Sequence, residues 1–551
     1  MRLYKKILLV SVLSLFIFSV RLDTTYPETP PLYQRFFQKY LRSSYGQNLP
    51  DWAQMSPEKD GYEGTRTLEF YSYINALTPT PIPDTIIVAI MDSGFDLDHP
   101  ALKDNIWNNW AEINGITGVD DDGNGFIDDY HGWNFLGDAV NLNYEFTREI
   151  QRLKRNGTPE SDSYYKKLTE EFNNKKKEYE EEYKLGKDIY RQLVDAETVL
   201  KKKDYPTDPE KLKDIKKQLS GEYSEAANTI MFIKTLYGIT RKDLEEMNKD
   251  IESKLSAVLD TTSAYRIIGD NPALLSEKNY GNSDVRSKGG VHGTHVAGII
   301  GANVKGIGQA PFVRLMCIRV VPDEGDERDK DIANGIRYAV DNGASVINLS
   351  AGKYFASNPD FVIQAIRYAE EKGVLFVCAA GNEGINIEEK RNFPPKFYIE
   401  NGEMKYFSNM IVVGASTWMT RNNSDKDPDN LARGFDLVAS FSNFSDKVVD
   451  IFAPGVEINS TVPGGKFERL SGTSMASPEV AGVSAVLKSF FPALKAFDIK
   501  RILIASSRKY DGLKVKVGEK ERSMFFSKLS KSGGIADLMN AYLRAKEEAG
   551  K

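Results

Sequence analysis

Six short, nearly unbroken apolar runs recur along this chain: "IIVAIM" (86–91), residues 313–321, "SVINLS" (345–350), "VLFVCAA" (374–380), "MIVVGAS" (410–416) and "VDIFAP" (449–454). An apolar run of strand length without polar alternation suits a strand covered on both faces. Amphipathic stretches lie between them, such as "DIANGIRYAVDNG" (331–343) and "DFVIQAIRYAEEKG" (360–373). Each closes on a glycine, a frequent helix stop. Strand and helix in alternation predict a three-layer α/β fold around a mostly parallel sheet. At 551 residues the chain is long enough for such a core plus an appendage.

Residues 144–260 break the rhythm. They are rich in Lys and Glu ("NNKKKEYEEEYK"). Leu244, Met247, Ile251, Leu255 and Val258 recur at helical spacing, as do Tyr165, Leu168 and Phe172, then Tyr179 and Tyr183. "TRKD" (240–243) has the pattern of a capping box, and "YPTDP" (205–209) reads as a loop before another helix. The segment is expected to be an α-helical insertion of long helices with one apolar stripe each. Its charge runs suit solvated helix faces, and a surface for a protein partner is the sharper alternative. The expected organisation is therefore 1–22, 23–85, 86–143, 144–260 and 261–551, with the core resuming after the insertion and closing in C-terminal helices.

The first segment reads "MRLYKKILLVSVLSLFIFSVRLD". Arg2, Lys5 and Lys6 precede an apolar run, 7–20, that is short for a membrane span. This is the pattern of an export signal, and no small-x-small pair precedes Arg21, so an uncleaved membrane anchor stays open. The protein is expected to be exported: periplasmic, cell-envelope or secreted. A net charge of −6 gives no reason to expect a nucleic-acid partner. The two cysteines, Cys317 and Cys378, lie in apolar runs and read as buried thiols.

"GTSMASP" (472–478) raises the question of chemistry. A serine at a helix start is most often a cap. Ser474, however, sits among small residues that let another chain approach, at the positive end of a helix dipole, and Pro478 suits a first helical turn. A serine hydroxyl needs a base to take its proton. Of four histidines, two lie in "GGVHGTHVAGIIGA" (289–302), with His292 opening the segment. A base needs a carboxylate to fix its tautomer. "IIVAIMDSGFDLDHP" (86–100) ends a buried strand on Asp92, where parallel sheets collect functional groups. "CAAGNEG" (378–384) follows another such strand, and Asn382 could aim its amide at a developing oxyanion with the Ser474 N–H as second donor. Taken singly, Asp92 and Asn382 also suit ordinary turns.

Together these segments resemble the signatures of the subtilisin-like serine proteases, in the order Asp, His, Ser. "VAIMDSGFD", "HGTHVAG" and "GTSMASP" are similar to the three triad motifs, and "AAGNEG" to the oxyanion-asparagine segment. "VINLSAG" (346–352) resembles the strand that pairs with substrate backbone beside the S1 pocket. The resemblance covers about 86–135 and 285–510. It implies a serine endopeptidase acting on polypeptide substrates, with Asp92, His292, Ser474 and Asn382 as catalytic residues and Ser350, Ala351 and Gly352 as substrate-binding residues. It implies no cofactor for catalysis, a structural place for His295, and strands for Cys317 and Cys378 that are not neighbours. Lys353 stands where family members often carry a second glycine and is expected to alter the substrate rim. Residues 23–60 are short for the family's usual folded inhibitory propeptide.

"DDDGNGFIDD" (120–129) stands apart. Asp120, Asp122, Asn124 and Asp128 follow the opening spacing of a calcium loop, but the twelfth position is His131, where an EF-hand has Glu. The expectation is a structural Ca²⁺ site, against an acidic turn without metal. Two rival functions remain: a catalytically weak scaffold whose insertion binds a partner, and a metallohydrolase using His292 and His295, which lack the H-E-x-x-H glutamate.

Overall fold

The apolar runs form the strands. A computed structural model describes residues 49–236, 239–262, 265–272, 274–287, 290–388, 392–420, 436–518 and 522–550. The expected export signal, 1–22, lies outside the described residues. The strands of the main sheet are β1 (Ile87–Asp92), β2 (Gly132–Asn134), β3 (Arg314–Arg319), β4 (Ala344–Leu349), β5 (Leu375–Ala379), β6 (Met410–Ser416), β7 (Ile451–Pro454), β8 (Arg508–Lys509) and β9 (Gly534–Ile535). Their order across the sheet is β8-β9-β7-β6-β5-β4-β1-β3-β2. All pair in parallel except β8 with β9. The short β2, β8 and β9 escape sequence reading because a strand of two or three residues has no period to detect.

The helices used below are, in chain order, α1 (Thr67–Asn75), α2 (Glu145–Arg155), α3 (Ser163–Lys201), α4 (Arg241–Leu259), α5 (Val291–Gly301), α6 (Asp329–Asp341), α7 (Pro359–Glu371), α8 (Thr473–Phe490), α9 (Ala496–Ser506) and α10 (Leu538–Ala549). Successive side chains of β1 face opposite ways, as the period of a strand requires. Val88 and Ile90 enter a core shared with α5, α8, α9 and α10, while Ala89 and Met91 enter one shared with α6 and α7. The sheet is thus the middle of three layers, and both of its faces are dry. Cys317 on β3 and Cys378 on β5 are free and buried, and β1 and β4 separate their strands. Burial pushes the Cys317 thiol up, and that of Cys378 up to about 12.

Part of the N-terminal extension belongs to this unit. Phe70 of α1 packs its ring 5.0 Å from Tyr542 and 5.5 Å from Phe490. The Trp52 indole N–H donates to the Val456 carbonyl at 3.1 Å.

Two compact units divide the described residues: 49–180 with 252–550, and 181–251. The boundaries thus fall inside the Lys/Glu-rich stretch 144–260, not at its ends. Helix α2 and the first turns of α3 belong with the sheet, because the aromatic rings of Phe146 and Tyr164 are spent on Phe355. The expected cap is present: Thr240 N donates to Asp243 at 2.8 Å and Asp243 N to the Thr240 hydroxyl at 3.2 Å. Within 181–251, Leu193, Leu200, Leu212, Ile230, Leu244 and Ile251 are buried, so the apolar stripes face inward.

Candidate active site

Strand β1 delivers Asp92 to the carboxyl edge of the sheet, 1% exposed. The Ser93 N–H donates to Asp92 Oδ1 at 2.8 Å. Helix α5 begins directly above it. His292, its second residue, sets Nδ1 2.7 Å from the same Oδ1. That approach depends on Gly293, where a Cβ would stand 2.3 Å from the Gly94 carbonyl oxygen and 3.1 Å from Asp92 Cβ. Burial pulls the His292 pKa down, but the charge of Asp92 and its hydrogen bond outweigh this, and the net shift is upward. His295, one turn on, is buried. Its Nε2 lies 2.9 Å from the Ile458 carbonyl and 3.0 Å from that of Glu468. Burial, ahead of all else, holds it down to about 4, so it stays neutral.

Ser474 is the second residue of α8. It therefore has one of the helix's free N–H groups, and it stands at the positive end of the dipole. Pro478 falls in the second turn of this helix, not the first as its motif position suggests. Having no N–H, it cannot bond to the Ser474 carbonyl four residues back. The Ser350 hydroxyl fills that gap, donating to the Ser474 carbonyl at 2.9 Å. In return the Ser474 hydroxyl donates to the Ser350 carbonyl at 3.1 Å, and not to His292. Asn348 Nδ2 donates to Ser350 Oγ at 3.0 Å, and Ser477 Oγ donates to Asn348 Oδ1 at 2.7 Å. Of these supports, all inside the motif strings, Ser350 was singled out only as a substrate-binding residue, and Asn348 and Ser477 were not singled out, because Ser and Asn suit so many turns.

Asn382, in the loop after β5, is oriented by its oxygen. Oδ1 accepts from the Thr473 N–H at 2.8 Å and from the Thr473 hydroxyl at 2.9 Å. The opposite end, Nδ2, makes no hydrogen bond among the described residues and lies near Gly472. Beyond β4, the backbones of Ala351 and Gly352 are likewise unpaired among the described residues. Lys353, next in line, is not at a rim: its side chain is buried.

The acidic loop is held largely by its own backbone. Asp120 accepts from the N–H groups of Gly123 and Gly125, both at 2.8 Å. Asn124 Oδ1 accepts from Phe126 N at 2.8 Å. The carboxylates that converge, within 4.8 Å of one another, are Glu112, Asp120 and Asp122. Asp128 is not among them; it takes the Gly118 N–H at 2.9 Å and the Tyr130 hydroxyl at 2.8 Å. Glu112 lies outside the acidic run, which is why spacing alone could not find it. Burial raises neighbouring Asp129 to about 6.

Residues 84–522 match the subtilase family. The chain is 41% identical over 202 residues to a thermophilic serine proteinase of Bacillus sp. (strain AK1), covering 36% of this chain and 42% of that protein. It is 40% identical over 212 residues to thermitase of Thermoactinomyces vulgaris, covering 38% of this chain and 64% of that protein. It thus spans about half the length of these relatives. A solved cold-adapted subtilisin-like serine proteinase is 26% identical, with a TM-score of 0.34, over 47% of this chain and 76% of that one.

Proposed function

The chain belongs to the subtilase family, and on that premise we propose that it is an exported serine endopeptidase that cleaves polypeptides through an acyl-enzyme. Asp92, His292 and Ser474 are the triad, and Asn382 and the Ser474 N–H are the oxyanion donors. The observation that carries this reading is the 2.7 Å contact between Asp92 and His292, residues from opposite ends of a long insertion. The export signal rests on the sequence of residues 1–22 alone.

The chemistry follows from the geometry. With Nδ1 on the Asp92 carboxylate, the His292 proton belongs on Nδ1 and Nε2 is left to act as base. An extended peptide pairs with the backbone of Ser350–Gly352, where Ala351 and Gly352 are unpaired among the described residues. The Ser474 hydroxyl turns from the Ser350 carbonyl to Nε2, gives up its proton and attacks the scissile carbonyl carbon. The negative charge that forms on the carbonyl oxygen takes N–H bonds from Ser474 and Asn382 Nδ2. The carboxylate stabilises the imidazolium formed. Nε2 then protonates the leaving amine, and water repeats the sequence to release the acid. No cofactor is needed. The test is labelling with a fluorophosphonate and peptide mapping, with label expected on Ser474 and abolished in Ser474→Ala; label elsewhere overturns the assignment.

The acidic loop is read as a structural Ca²⁺ site. Its best-supported oxygens are those of Glu112, Asp120 and Asp122, with Asn124 alongside, and Asp128 shapes the turn. Hard carboxylate oxygens suit that ion. Added Ca²⁺ should raise the melting temperature of the wild type and not that of Asp120→Asn/Asp122→Asn; equal shifts in both would reject the site.

A further inference from the structure

Lys353 follows the substrate-pairing segment directly, and its side chain turns inward, 5% exposed. Its ammonium lies 2.9 Å from Glu145 Oε2, 2.9 Å from Asp329 Oδ1 and 2.7 Å from the Glu327 carbonyl oxygen. Three acceptors match its three N–H groups. The Lys353 backbone is fixed as well: it donates to the Phe393 carbonyl at 3.1 Å and accepts from the Phe393 N–H at 2.8 Å.

Glu145 is the first residue of α2, at the root of the inserted stretch, and it is itself 1% exposed. Its Oε2 also accepts from Arg148, with Nε at 3.1 Å, and its Oε1 accepts from the Ser357 hydroxyl. Arg148 goes on to donate to the carbonyls of Asp326 at 3.0 Å and Glu327 at 3.1 Å. Asp326 closes the circuit by accepting the Glu145 N–H at 2.8 Å. Three separate stretches meet here: the insertion root, the lead into α6, and residues 353–357 just past the substrate segment. Rings seal the same contact, with Phe355 6.5 Å from both Phe146 and Tyr164.

A buried ammonium is tolerated only while its partners are in place, and losing one leaves an uncompensated charge. Such a pair therefore locks position more than it adds stability. We propose that Glu145 and Lys353 are positioning residues for substrate binding: the root of the insertion holds Ser350–Gly352 at the register in which an extended peptide pairs with it. This rests on the reading of Ser350–Gly352 as the substrate strand. The ligand class is an extended peptide with several residues on the acyl side of the scissile bond. A reagent that touches only Ser474 and the oxyanion donors does not use this register.

The experiment uses the full chain, with Glu145→Gln and Lys353→Met as variants. KM and kcat are measured for chromogenic peptide anilides with one to four residues on the acyl side, beside the rate of phosphonylation by diisopropyl fluorophosphate. In either variant KM for the four-residue anilide should rise about ten-fold, while the one-residue anilide and the phosphonylation rate stay within about two-fold. If neither single variant folds, Glu145→Gln/Lys353→Met, which removes both charges, must show the same split. An unchanged KM for the long peptide in a folded variant overturns the proposal. So does an equal loss for every substrate and for phosphonylation, which would mark a general collapse. A wild type that does not react with the fluorophosphate would instead overturn the functional reading itself.

Discussion

The sheet-edge site and the helical unit of residues 181–251 use polar side chains in opposite ways. In the helical unit, most charged pairs lie close in sequence, Glu197 with Lys234 at 2.6 Å being the longer-range exception among the described residues; Glu210 with Lys213 at 2.6 Å and Asp188 with Arg191 at 3.3 Å are each three residues apart and largely exposed. Such pairs contribute little and can be exchanged. At the site, each pair has one buried partner and joins residues distant in sequence: Asp92 with His292, Ser350 with Ser474, Thr473 with Asn382. Local pairing needs only a helix, whereas distant pairing needs the whole fold. Chemistry should therefore depend steeply on the second set and barely on the first.

The steepest test is Ser474→Ala. Its kcat for a peptide substrate should fall on the order of a million-fold, a magnitude taken from subtilisin itself, with the fold intact by circular dichroism. Wild-type turnover in this variant would break the contrast outright.

Asp92→Asn comes next, with kcat expected to drop by about 10⁴-fold. The pH profile of the residual activity sharpens the point. The raised His292 pKa makes the wild-type kcat/KM climb with pH through a value above that of an ordinary histidine, because only the neutral imidazole is a base. Without Asp92, burial acts unopposed and the acid limb should move to lower pH. A limb that stays put would mean that Asp92 does not set the basicity of His292.

Asn382→Ala removes one of the two proposed oxyanion donors, so kcat should fall about a hundred- to a thousand-fold with little change in KM, again the scale known from subtilisin. An effect confined to KM would place Asn382 in substrate binding.

Replacing residues 181–251 with a short Gly/Ser linker should have a far smaller effect. Tyr144 holds the two cut ends together, its hydroxyl 3.2 Å from that of Tyr179 and its N–H donating to the Ala257 carbonyl at 3.4 Å. Closure entropy grows only with the logarithm of loop length. Hydrolysis of a small peptide should stay within about three-fold of the full chain, with protein substrates affected more. A folded deletion that cannot cleave a small peptide would make the helical unit part of the site. Smallest of all, Glu210→Gln should move the melting temperature by less than about 2 °C.

The sequence alone determined much of this protein. Short, nearly unbroken runs of Val, Ile and Leu suit strands covered on both faces, so the sheet strands from Ile87 to Pro454 were legible to within two residues, β2 excepted. Motif strings singled out Asp92, His292, Asn382 and Ser474 as the proposed catalytic residues, because each chemistry demands a residue type with a fixed local setting. Tertiary structure alone decided which distant groups meet. No spacing rule could bring Glu112 beside Asp120, turn Asp128 away, or assign Ser350 to the carbonyl that Pro478 leaves free. Nor could it bury Lys353. A lysine after a substrate strand reads as a solvent-facing charge, since charged groups shun the interior. It goes inward here because Glu145, more than two hundred positions upstream at the start of α2, waits there with Asp329 to neutralise it.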